Sequence, residues 1–402
     1  MKHHINELAI FGGPRAFDQP LHVGRPNLGD RGRLLARIDE LLDRRWFTND
    51  GPLVQEFERR LAEWTGAKHC IAVCNGTVAL ELALRAAGVE GDVIMPAFTF
   101  VATAHAVQWL GLQPVFCDID AESHTIDPGR IEQLITPRTA AIVGVHLWGR
   151  PCRIDRLQAI ADRHGLTLLF DAAHAFGCTW RGRPIGNFGL AEVFSFHATK
   201  FVNAFEGGAI VTNDDQLAAR LRLMRNFGFA GYDQVVSLGI NGKMSEVSAA
   251  MGLTSLDSCH EFIAANRQNH EAYVRELSGV SGLSMLDYDA GERANYQYIV
   301  VEVDAEKAGL ARDDLVEVLW AENVLARRYF YPGCHRMAPY AAAGNGWRLP
   351  VTDSVAGRVL SLPTGGTVGF DQVAAVCNIL RTALADAGEV GRQLARLKAA
   401  AT

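Results

Sequence analysis

The chain has 402 residues, 49% of them apolar, and a formal net charge of −6 from 39 basic and 45 acidic side chains. Two domains fit that length, the apolar share excludes wholesale disorder, and a mild acidic balance without long charge runs argues against a dedicated nucleic-acid or membrane-surface binder. No uncharged stretch forms a continuous apolar 20-mer, no secretory signal opens the chain, and the eight scattered cysteines form no CxxC pair, so reduced thiols in a cytoplasmic protein are expected.

In chain order, apolar spacing predicts a helix from Leu34 through Leu42, a turn at Thr48–Pro52, and a second helix from about Leu53 to Trp64. From Cys70 a strand–helix alternation begins. Strands are predicted at 70–74, 92–96, 113–118, 139–146 and 166–171, with helices near 77–87, 101–110, 127–135 and 153–164. Apolar strands spaced by amphipathic helices indicate a mainly parallel sheet covered on both faces. Strands at 191–197 and 207–212 follow with too little chain between them for an easy crossover helix, so one antiparallel strand is expected. A long helix near 257–278, a strand at 296–303, helices at 312–322 and 370–385, and a polar Ala-rich tail complete the chain. The reading is thus α/β, with a large domain over 1–256 that includes an N-terminal arm, and a smaller α+β domain over 257–402.

Lysine use is the most informative count, with six lysines among the 39 basic residues. Lys200 is the only formally charged residue from Val193 to Phe205 (VFSFHATKFVNAF). An unpaired buried ammonium is costly, and burial lowers its pKa toward that of a neutral amine nucleophile. Position alone also allows a snorkelling surface lysine. A second isolated charge, Asp171, is the only one from Leu166 to Trp180 and ends a predicted buried strand, at the sheet edge where open α/β sheets bind ligands; a helix-capping aspartate is the plain alternative. Asn75-Gly76-Thr77, between a strand and a helix, offers backbone amides and a hydroxyl for an anion, or is an ordinary capped turn. Ser195 adds a second hydroxyl, and Phe100 an aromatic face.

An amine, an opposed carboxylate, an aromatic platform and an anion cradle together suit pyridoxal 5′-phosphate. The acid would keep the ring nitrogen protonated. No GxGxxG follows a strand, and Asn241-Gly242-Lys243-Met244-Ser245 lacks the first glycine of the P-loop it superficially resembles. HExxH, GxSxG and metal-spaced Cys/His clusters are absent, so no metal is expected.

The segments FSFHATK (194–200), EGGAIVTND (206–214), GPLVQEFE (51–58), CNGTVALELAL (74–84), PAFTFVATAHAV (96–107), FDAAHAFG (170–177), NGKMSE (241–246) and LSLPTG (360–365) resemble the nucleotide-sugar aminotransferases of the DegT/DnrJ/StrS family. Within it, FGGPRAFDQPLHVGRPN (11–27) and VHLWGRPC (145–152) are similar to the 4-aminotransferases acting on TDP-4-keto-6-deoxyglucose in desosamine-type antibiotic sugar pathways. The resemblance implies PLP fold type I, a mainly parallel seven-stranded sheet, L-glutamate as amino donor, a nucleotide-diphosphate keto sugar as acceptor, and a homodimer with shared active sites. It implies that Lys200 binds the cofactor aldehyde and moves the proton, Asp171 pairs with the pyridinium, and Phe100 stacks on the ring. Gly76, Thr77 and Ser195 would hold the phosphate, with Asn241 reaching it from the partner subunit. His174 stands where many members have Gln, near the phenolic oxygen, and could titrate there. Lys243 stands where many have Arg, against the donor's carboxylate or the sugar diphosphate, and His197 and His335 match family histidines near the sugar or donor; a structural histidine is the alternative for each. A 3-aminotransferase, a 4-keto-pentose aminotransferase, a non-catalytic PLP-binding regulator and, on βα alternation alone, a nicotinamide-dependent oxidoreductase remain the rival readings.

Overall fold

The computed structural model describes residues 1–342 and 346–401. Seven strands form the main sheet: β1 (His69–Val73), β2 (Asp92–Pro96), β3 (Gln113–Cys117), β4 (Thr139–Val145), β5 (Thr167–Asp171), β6 (Ala191–Ser195) and β7 (Gly208–Thr212). Their order is β1-β7-β6-β5-β4-β2-β3. The pairs β2/β3, β2/β4, β4/β5 and β5/β6 are parallel, while β7 runs antiparallel to both β6 and β1. The short connection after β6 therefore turns the chain back rather than crossing over.

Both faces of the sheet are buried. Phe170, Phe194 and Ile142 pack on one side with the helices Pro52–Thr65 and Ile154–His164, and Ile71, Val193 and Ile210 pack on the other with Gly76–Ala86. Each such side chain contributes roughly 1.5–3 kcal/mol, which explains strands that read as continuous apolar runs. The helix expected near 127–135 is instead two 3-10 turns, Pro128–Arg130 and Glu132–Leu134. Gly129 within it and Pro137 just beyond leave too short a run to pay for nucleating an α-helix.

A second core surrounds the antiparallel sheet Leu283–Met285, Ile299–Val303 and Val359–Leu362, covered by the helices Cys259–Leu277, Arg312–Ala321 and Phe370–Ala385. The predicted strand starts only at Ile299, because Tyr296 adopts a φ of 50°. Leu8, Ile10 and Leu21 also enter this core, and Leu21 pairs in parallel with Val324, so the N-terminal arm, expected with the large domain, packs on the C-terminal elements. The Ala-rich tail is a helix, Ala387–Ala401, that buries Val390 and Leu394 in the same core; alanine is the best helix former, and those two apolar residues supply the docking stripe. No described helix is long and apolar enough to cross a membrane.

Candidate active site

Asp171 is the last residue of β5, and the strand's apolar run carries it to the C-terminal sheet edge as a buried acid. Thr103 Oγ1 donates to Asp171 Oδ2 at 2.8 Å, and the Ala173 amide donates to Oδ1 at 3.0 Å. Burial raises the pKa of Asp171, while the Ala173 amide, Thr103 and the Lys200 ammonium pull it back down. A positively charged partner that the acid can neutralise is what this environment selects.

Lys200 follows β6 in a tight turn, its amide donating to His197 O at 2.8 Å. Its Nζ donates to the Tyr298 hydroxyl at 3.1 Å. Burial lowers its pKa to about 8, opposed by the charge of Asp171. The amine thus turns into the cavity onto a tyrosine hydroxyl, where a snorkelling lysine would reach solvent.

Strand β7 shapes the anion cradle. Gly208 stands opposite Val73 on one side and Ser195 on the other. A Cβ at Gly208 would come within 2.6 Å of the Asn75 carbonyl, and one at Gly76 within 3.0 Å of Ser195 Cβ. Two glycines thus let three backbone segments converge at the N-terminus of the helix Gly76–Ala86. Asn75 caps that helix by accepting from the Val78 amide at 2.9 Å. The Gly76 and Thr77 amides have no protein acceptor among the described residues, and an anion satisfies them.

These groups face one cavity of about 620 Å3, lined by Gly76, Thr77, Phe100, Asp171, His174, Ser195, His197 and Lys200. Phe100 stands at its mouth as the N-cap of the helix Val101–Trp109 and is 56% exposed. Behind it the wall is aromatic: Phe330 stacks on Trp148 at 5.3 Å, and His174 lies 4.3 Å from the Tyr298 ring. Burial, with the Lys200 charge second, holds His174 well below its ordinary pKa. That environment favours the neutral imidazole. Its Nδ1 accepts from the Trp148 amide at 3.4 Å, leaving Nε2 to carry the proton and donate.

Three expected residues do not line the cavity within one chain. Asn241 is exposed beside the cradle, where the neighbouring Gly242 carbonyl accepts from the Cys74 amide at 2.8 Å. Lys243 Nζ donates to Asn226 Oδ1 at 2.9 Å and lies over the Phe227 ring. His335 is buried, with Nε2 2.9 Å from Asp353 Oδ1, and ties the turn Cys334–Arg336 to the helix Pro350–Arg358. His197 does reach the cavity, exposed, its Nδ1 2.8 Å from Thr199 Oγ1.

Sequence reasoning missed Thr103, Tyr298, Arg327, Tyr329 and Phe330. The last four lie about a hundred residues or more beyond Lys200, in a region read only for its strand and helices. Asn295 brings that region in: its Nδ2 donates to the carbonyls of His174 at 2.9 Å and Phe176 at 3.1 Å. A polar Asn-Tyr-Gln-Tyr run just ahead of an apolar strand was the available signal.

An amine poised near neutrality, a buried acid, an amide cradle and an aromatic wall in one cavity fit pyridoxal phosphate group by group. Comparison with known proteins agrees. The profile of the DegT/DnrJ/EryC1/StrS aminotransferase family matches residues 30–381. The dTDP-4-amino-4,6-dideoxy-D-glucose transaminase of Escherichia coli is 37% identical over 353 residues, 86% of this chain and 94% of that protein. The erythromycin biosynthesis sensory transduction protein EryC1 of Saccharopolyspora erythraea is 38% identical over 324 residues, 80% of this chain and 87% of that one. Among solved structures, DesI with its TDP-sugar product superposes with a TM-score of 0.93 at 52% identity, covering 97% of this chain and 99% of that one. S. venezuelae DesV superposes with a TM-score of 0.82 at 31% identity over 90% of this chain and 98% of its own. The chain is a pyridoxal-phosphate-dependent transaminase of fold type I and belongs to the DegT/DnrJ/EryC1/StrS aminotransferase family.

Proposed function

We propose that this enzyme transfers the amino group of L-glutamate to C4 of a TDP-linked 4-keto-6-deoxy sugar, releasing 2-oxoglutarate and the 4-amino sugar, as a step in the biosynthesis of an antibiotic deoxysugar. The observation that carries the chemistry is the pairing, in one cavity, of a lysine with its pKa lowered to about 8 and a buried aspartate held by Thr103 and Ala173. The match to DesI over nearly the whole of both chains supports a TDP-sugar acceptor and amination at C4.

When bound, pyridoxal phosphate supplies an electron-accepting ring that stabilises negative charge on the carbon losing its proton. The residues around it divide the remaining work. Lys200 would supply the amine that holds the cofactor aldehyde, and its Nζ would carry the proton at the substrate carbon. Tyr298 holds that amine by its hydroxyl. Asp171, whose charged form its two donors favour against burial, would accept from the pyridinium nitrogen, and Phe100 would cover the ring face at the mouth. Gly76, Thr77 and Ser195 would take the phosphate, and His174 Nε2 would donate to the ring's phenolic oxygen. The aromatic wall excludes water, which strengthens each of these contacts.

The protein works as a homodimer in this reading, with Asn241 and Lys243 completing the partner's site. The segment from Phe227 to Ile240 exposes Tyr232, Val235, Val236 and Leu238, and a second copy of the chain would cover such a stretch. Eight unpaired cysteines, seven of them buried, suit a cytoplasmic enzyme.

The test is to incubate the purified enzyme with TDP-4-keto-6-deoxyglucose and L-glutamate, locate the new C–N bond by NMR and assay 2-oxoglutarate. An amine at C4 with stoichiometric 2-oxoglutarate is expected. An amine at C3, or turnover only with a 4-keto-pentose, refutes the substrate, and no product at all refutes the catalytic reading.

A further inference from the structure

Arg327 is the one arginine lining the cavity among the described residues. Its backbone is pinned, the amide donating to Ser361 O at 3.1 Å and the carbonyl accepting from Ser361 N at 2.8 Å. Its side chain is exposed and has no acid within salt-bridge distance among the described residues. The neighbouring arginines differ. Arg312 lies 2.7 Å and Arg328 3.3 Å from the same Asp313 oxygen. Arg328 also stacks over the Trp320 and Tyr331 rings. The fold thus gives two guanidinium groups a shared acid in Asp313 and, among the described residues, leaves the third without one where a ligand enters.

The charges around it show what that cation is for. The other formally charged groups lining the cavity are Asp171, Lys200 and Glu206. Asp171 and Lys200 serve the cofactor, and Glu206 lies 3.5 Å from His197. Once a cofactor phosphate occupies the Gly76 cradle, the cavity is net negative and repels an anionic substrate. Lys243 does not line this chain's cavity, so it does not relieve that repulsion from within the protomer.

We propose that Arg327 is the oxyanion grip of the substrate site, taking a carboxylate of the amino donor in one half-reaction and the diphosphate of the nucleotide sugar in the other. This rests on the transaminase function proposed above. A transaminase uses one cavity for two unlike substrates in turn, and here an oxyanion is what they share. A planar guanidinium fork matches carboxylate and phosphate alike in bidentate geometry, which an ammonium does not. The pinned backbone and exposed head group give the fork a fixed base and a free reach.

The variants are Arg327→Gln and Arg327→Lys in the holoenzyme. Each half-reaction is followed separately, with glutamate alone and then with the keto sugar, and calorimetry measures binding of 2-oxoglutarate and of TDP. For Arg327→Gln the KM for each substrate should rise about 10- to 100-fold, with a matching loss of product affinity, the range expected for removing a charge-assisted hydrogen bond. Arg327→Lys should recover part of the loss. Weakening of both 2-oxoglutarate and TDP supports the proposal; weakening of one alone confines the guanidinium to that ligand and overturns its shared use. Both affinities staying within about twofold of wild type overturn it, as does a selective loss of coenzyme affinity, which would assign the guanidinium to the cofactor phosphate. If the wild type binds both ligands but does not turn over, the transaminase reading fails while the binding comparison still decides Arg327.

Discussion

The Lys200 amine donates to the Tyr298 hydroxyl across 3.1 Å, and the two residues flank strands of different sheets. Lys200 sits on the turn after β6 of the main sheet, and Tyr298 immediately precedes the central strand Ile299–Val303 of the smaller sheet. The cavity therefore needs both sheets in place.

Tyr298→Phe removes that hydroxyl and keeps the ring against His174 and Trp148. The amine then loses the partner that orients it, and turnover should fall about tenfold, equivalent to roughly 1.4 kcal/mol, with the coenzyme still bound. Steady-state kinetics beside the visible spectrum of the bound coenzyme check this. Unchanged turnover would show that the bond orients nothing.

Asp171→Asn keeps the shape of the acid and removes its charge, so the ring nitrogen loses its counter-ion and kcat should drop by about two orders of magnitude or more. Thr103→Val is subtler. It removes a donor to the carboxylate, favouring the neutral acid. The acidic limb of the kcat–pH profile should then move to higher pH. A limb that stays in place rules out Asp171 as the group responsible for it.

Lys200 is depressed to about 8 by burial, and only its unprotonated form is a nucleophile. At pH 7 about a tenth of the amine is free, and at pH 9 about nine-tenths. Covalent capture of pyridoxal phosphate by the apoenzyme should quicken as pH rises through 8 and level off above it, read by stopped-flow absorbance. A rate still climbing toward pH 10 would mean that the lysine keeps its solvated pKa.

Mixing two impaired variants, at a coenzyme concentration too low to fill the weakened site, tests the shared site. Lys200→Ala should abolish transamination and leave coenzyme that borohydride cannot trap. Asn241→Ala should weaken the coenzyme only in the neighbouring site. In a mixed dimer, one site lacks both groups and the other is intact, so re-equilibrated mixtures should regain about a quarter of wild-type activity. A mixture no more active than its components contradicts a contribution across the interface.

Several elements of this site are local in the chain and were legible there. Apolar runs of five to seven residues separated by amphipathic helices specify a covered parallel sheet, and an isolated charge at the end of such a run, as at Asp171 and Lys200, marks a group the fold must compensate. The antiparallel β7 was legible for the same reason, since so short a connection cannot cross over. The C-terminal helix was not, because its buried stripe of Val390 and Leu394 has meaning only against a core that the chain has already built.

By itself, then, the sequence determined the sheet, the cradle and the chemical types of the amine and the acid, because those depend on local periodicity and on charges that stand alone. Only the tertiary structure decided that Tyr298 holds the lysine, that burial favours the neutral form of His174, and that Arg327 faces the cavity while Arg312 and Arg328 share Asp313. Those properties depend on burial and on partners brought together from distant parts of the chain, and neither spacing nor composition encodes which of three similar arginines is left without an acid.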